Sequence, residues 1–79
     1  MEYGFGLDSN KSSISIIKEW EDLFNRNLIK WEQKENGQYV LYYSIHETLN
    51  KDEMQYLFDR FTLVTVGVEH GYSFISLIR

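Results

Sequence analysis

Seventy-nine residues make one domain, and a chain this short buries only about 60–65% of the surface its unfolded form exposes, so a second domain and a high stability are excluded. An apolar content of 43% with 16% aromatic residues supplies a packable core and excludes a disordered chain. The absence of cysteine excludes disulfides, thiolate metal sites and thiol nucleophiles, and a net charge of -4 opposes tracking of a phosphate backbone.

Met1 to Gly6 carry neither the basic start nor the apolar run of a secretion signal, and no apolar run approaches the ~18 residues of a membrane span. The cytoplasm is the expected location. Tyr3, Phe5 and Leu7 alternate with Gly4 and Gly6, which predicts a short strand over residues 1–7. Ile16, Ile17, Trp20, Leu23 and Phe24 then fall on one face of a helix predicted over 13–27, with Ser12 and Ser13 as N-cap residues.

Two alternating runs, 29–34 and 38–45, flank Glu35-Asn36-Gly37 and predict a β-hairpin. A three-residue loop with Gly37 in the left-handed position gathers Ile29, Trp31, Tyr39, Leu41, Tyr43 and Ile45 on one face, whereas a two-residue turn would place Ile29 and Trp31 beside Val40 and Tyr42 and leave Tyr39, Leu41, Tyr43 and Ile45 opposite charged neighbours. The second helix starts at Asn50, where Glu53 can close a capping box, and its buried stripe is Met54, Leu57, Phe58 and Phe61. Arg26 and Arg60 are expected in the last turns of the two helices, facing the negative ends of their dipoles. Residues 62–68 and 72–78 flank Glu69-His70-Gly71 and predict a second hairpin, again with glycine third.

Sliding the chain against itself by 34 residues superposes Leu23-Phe24-Asn25-Arg26 on Leu57-Phe58-Asp59-Arg60, Leu41 on Ile75, and Glu35-Asn36-Gly37 on Glu69-His70-Gly71. The two units run over about 1–34 and 35–69, with an extra strand at 72–78. The predicted fold is α+β: two helices on one face of an antiparallel sheet of four to five strands, βαββαββ, a ferredoxin-like split βαβ plus a C-terminal strand, in the sheet order 2-3-1-4-5. Without a strand at 1–7, the pattern reduces to αββαββ.

Either version leaves one sheet face bare. Carrying the three-residue loop over to the second hairpin turns Leu63, Ile75 and Leu77 toward the helices and Val64, Val66, Val68, Tyr72 and Phe74 outward. Val40 and Tyr42 join them from the first hairpin, beside Lys30, Glu32, Lys34 and Gln38. A slip of one residue would invert the valines.

No catalytic, cofactor or metal site is expected. His46 beside Glu47 and His70 beside Glu69 stand in loops without the spacing of a metal pair, and Ser9, Ser12, Ser13 and Ser15 suit capping. The expected function is non-enzymatic protein binding through the open face, Val64 to Phe74 together with Val40 and Tyr42. One alternative is a homodimeric small-ligand sensor or regulatory subunit, although no glycine-rich phosphate loop opens either helix.

Tyr3-Gly4-Phe5-Gly6-Leu7 resembles the aromatic-glycine strand of RNA-binding ferredoxin-like domains, which would imply single-stranded nucleic-acid binding. That family carries the motif on its third strand after a basic residue; here it lies on the first, after Glu2. In general character the chain also resembles phage or mobile-element inhibitors of host proteins, anti-CRISPR proteins among them. The expected outward helix residues Lys18, Glu21, Asp22 and Arg26 mix both signs, unlike a mimic of nucleic acid.

Overall fold

The computed structural model describes residues 10–79. In chain order it contains α1 (Ser13–Leu23), β1 (Lys30–Gln33), β2 (Tyr39–Ser44), α2 (Lys51–Phe58), β3 (Leu63–Glu69) and β4 (Tyr72–Ile78). The expected strand at 1–7 lies outside the described residues, and those described form the αββαββ pattern.

Ser12 caps α1, its hydroxyl accepting the Ser15 N–H at 3.2 Å. The helix stops four residues short of the predicted 27 because Asn25 turns left-handed, at φ 51. The N–H of Arg26 then donates to Glu21 O at 2.9 Å and that of Asn25 to Asp22 O at 3.3 Å, the paired bonds of a Schellman motif with Asn in place of Gly. Asn50 opens α2 with the predicted capping box: its side chain accepts the Glu53 N–H, and the Glu53 carboxylate accepts the Asn50 N–H, both at 2.9 Å.

Ile16, Ile17, Trp20, Leu57 and Phe61 bury themselves against Tyr39, Leu41, Tyr43, Ile75 and Leu77, so both helices lie on one face of the sheet. Phe58, expected in this core, is half-exposed, whereas Phe61 reaches it from just beyond the helix end. The four strands are antiparallel in the order β1-β2-β4-β3, a broadly ferredoxin-like arrangement. The predicted order with an N-terminal strand at the centre is corrected: β2 pairs directly with β4, Leu41 opposite Ile75, 34 residues on.

The two hairpins differ by one residue. In the first, Lys34 N–H bonds Gln38 O across a three-residue loop with Gly37 at φ 84, as predicted. In the second, Glu69 pairs with Tyr72 across a two-residue turn of His70 (φ 53) and Gly71 (φ 84). Two successive positive φ values define a type I′ turn, whose twist matches the flanking strands. This corrects the expected register of β3. Val64, Val66 and Val68 stand opposite Leu77, Ile75 and Ser73 on the helix side, and Leu63 moves to the open side. The physical reason lies in the turn: His70 and Gly71 both take positive φ and close the strands across two residues, which places the three valines on the face of Ile75 and Leu77, where Val64 alone packs against the core.

Candidate functional site: the open sheet face

The open face is built from alternate residues of all four strands, and the registers arrange them in rows across the sheet. Glu32, Val40, Ser76 and Thr65 form one row, flanked by Lys30-Tyr42-Phe74-Gly67 on one side and Lys34-Gln38-Ile78-Leu63 on the other. The middle row carries short side chains at its centre and its neighbours carry long ones. A shallow groove of about 400 Å³ results, floored by Val40, Ser76 and Thr65 and walled by Tyr42, Phe74, Gln38, Leu63 and Ile78.

Val40 is only 7% exposed and Ser76 only 9%, although among the described residues no helix lies over them. The Gln38 side-chain amide donates to the Ser76 hydroxyl. Phe74 leans across β3 onto Gly67, where a Cβ would meet its ring at 2.9 Å. The ring thus fills the place a side chain would occupy, which gives glycine a role inside a strand. Tyr72 packs edge-on against Tyr42 with centroids 6.3 Å apart.

Lys34 and Glu69 also line the groove, and Lys34 is paired with Glu32 beside it. The Tyr42 hydroxyl donates to Glu32 Oε1 at 3.2 Å, Lys34 Nζ lies 3.3 Å from the same oxygen, and Lys30 Nζ stands 5.0 Å above the Tyr42 ring. The Lys34 contact, then the Tyr42 hydrogen bond, hold the Glu32 carboxyl below the usual range. Partial burial, then the Glu32 carboxylate, push the Tyr42 phenol up.

Of the residues predicted to bind a partner, the structure brings Val40, Tyr42, Tyr72 and Phe74 together on this face. Val64, Val66 and Val68 are not among them. Leu63, Thr65 and Ile78 take their place, and the clue to them was the His70-Gly71 pair, since His tolerates the left-handed region better than most residues and Gly accepts it freely.

No known protein family, curated protein or solved structure matches the chain. Among the described residues, no three His, Cys, Asp or Glu side chains converge as a metal site, and no helix is long and apolar enough to cross a membrane. His46 is exposed, and His70 projects from its turn with Nε2 3.7 Å from Glu69. The groove offers hydroxyls, one side-chain amide, apolar walls and two charged residues, Lys34 and Glu69: groups that hold a ligand by shape, hydrogen bonds and charge.

Proposed function

We propose that this domain is a non-enzymatic protein-binding module whose open sheet face receives a protruding apolar side chain of a partner protein. The observation that supports this most is the groove over Val40, Ser76 and Thr65, a concavity with apolar and aromatic walls on a sheet face that no helix among the described residues covers. The charges favour a protein over nucleic acid as partner: Lys34, the cation lining the groove, lies 3.3 Å from Glu32, and Glu69 also lines the groove, which leaves little net positive charge for phosphates. Inhibition of a host protein by a phage or mobile-element product is one biological setting for such a module.

The test compares partner capture from source-cell lysate by the natural chain, by Thr65→Arg, which fills the groove from an exposed floor position, and by Lys18→Glu on the helix surface. A protein held by the natural chain and by Lys18→Glu but released by Thr65→Arg is expected. Equal retention by all three would reject the open face.

A further inference from the structure

Among the described residues the sheet has two edges, and they are guarded differently. β1 is four residues long and carries Lys30, Glu32 and Gln33, with Lys34 just beyond. Charges and brevity of this kind keep an edge from pairing with another strand. β3 is seven residues long, reads Leu-Val-Thr-Val-Gly-Val-Glu, pairs with β4 without a bulge, and contains no Lys, Arg or Pro. Its valines face the helix layer yet are poorly covered by it, Val66 being 50% and Val68 68% exposed.

The turn also determines which backbone groups point outward. A two-residue turn makes Glu69 and Tyr72 a hydrogen-bonded pair, and such pairs alternate along an antiparallel ladder. Leu63, Thr65, Gly67 and Glu69 therefore bond inward to β4, and the N–H and C=O groups of Val64, Val66 and Val68 face away from the sheet.

We propose that two copies of this chain pair antiparallel through β3, with Val66 opposite Val66 of the second copy, to form one continuous eight-stranded sheet. In this register the outward backbone groups meet their own kind: Val66 with Val66, and Val64 with Val68 in both directions, six hydrogen bonds about a two-fold axis. The same pairing lays the exposed valines side by side on the helix face, so one contact satisfies the open backbone and covers the apolar row. On the other face Thr65 meets Gly67, the small residue leaving room for the branched one. Glu69 falls opposite Leu63, so no like charges meet. The groove borders this contact through Leu63, Thr65 and Glu69, while its far wall, Tyr42 and Gln38, stands clear of it.

The test is the mass in solution by light scattering after gel filtration, together with nuclear Overhauser contacts in a mixture of differently labelled chains. The expected result is a doubled mass at about 1 mM chain, with a contact between Thr65 Hα of one copy and Gly67 Hα of the other. Val66→Lys, which places a charge in the contact, and Val66→Pro, which removes the central N–H, are each expected to give the monomer mass; circular dichroism identifies any variant that fails to fold, and the other then decides. Thr65→Arg also sits at the pairing edge, so Tyr42→Ala, on the far wall of the groove, serves as the groove control and is expected to keep the doubled mass. A natural chain that stays monomeric throughout would overturn the proposal and leave the edge to a foreign strand. A doubled mass that survives in the folded Val66 variants, without the Thr65–Gly67 contact, would also overturn it.

Discussion

Arg26 is the residue whose role sequence spacing obscured. Expected at the end of α1 as a partner of the helix dipole, it closes the Schellman turn with its N–H while its side chain reaches across to the start of α2. Its Nε donates to Glu53 Oε2 at 2.8 Å, one Nη to Glu53 Oε1 at 2.6 Å and to Thr48 O at 2.9 Å, and the other to Glu47. Glu53, 2% exposed, serves at once as capping-box residue and counter-ion, and its carbonyl accepts the Trp20 indole N–H at 3.1 Å. Burial disfavours the guanidinium charge, but Glu53 and Glu47 outweigh it and raise the Arg26 pKa. Removing Arg26 would leave a buried carboxylate with its backbone bond alone. Arg26→Met is expected to cost about 3 kcal/mol in urea unfolding, whereas a loss under about 1 kcal/mol would mean that the pair behaves as an exposed one.

Glu32 supplies the residue-scale prediction for the open face. Its folded pKa is lower than its unfolded one, so its contacts with Lys34 and Tyr42 stabilise the folded state above the ordinary carboxylate range and are lost as pH falls through the depressed value. In an NMR titration its carboxyl midpoint is expected below the usual value and is expected to rise in both Lys34→Ala and Tyr42→Phe. A midpoint that neither substitution moves would contradict the contacts of Glu32 with Lys34 and Tyr42.

At the scale of elements, both helices, both caps and both hairpins were legible in residue spacing, because amphipathic period and cap chemistry are local. The register of β3 was not legible by analogy with the first hairpin. Glu-Asn-Gly and Glu-His-Gly look alike, yet one forms a three-residue loop and the other a two-residue turn. The deciding feature is the turn itself: His70 and Gly71 both take positive φ, whereas in the first loop only Gly37 does, and of the three valines only Val64 packs against the core. In the type I′ turn Asn is preferred to His at the first central position, so His70→Asn is expected to stabilise the domain by about 0.5 kcal/mol, and Gly71→Ala, at φ 84, to destabilise it by about 1 kcal/mol or more. Thermal unfolding reads both; a Gly71→Ala variant as stable as the natural chain would contradict the turn assignment.

At the scale of the whole molecule, the described residues form two layers, 18 Å along the shortest axis. One sheet face is occupied by helices, and the other is finished only by its own side chains. The bare face itself was legible, since two helices flanking two hairpins bury a single face. Four of its seven predicted contact residues, Val40, Tyr42, Tyr72 and Phe74, are on it, and the three valines follow the β3 register to the other side. There they mark an edge instead of a face, and the proposed modes of association divide accordingly: a foreign side chain in the groove, a second copy along β3.

Everything said of the groove and of the edge depends on that register, and cross-strand Hα–Hα nuclear Overhauser contacts measure it directly. Non-hydrogen-bonded pairs bring the Hα atoms closest, so the two-residue turn predicts contacts between Val64 and Leu77, Val66 and Ile75, and Val68 and Ser73. Contacts of Val66 with Phe74 and of Val64 with Ser76 in their place would shift β3 by one residue, return the valines to the open face and contradict both the groove and the dimer.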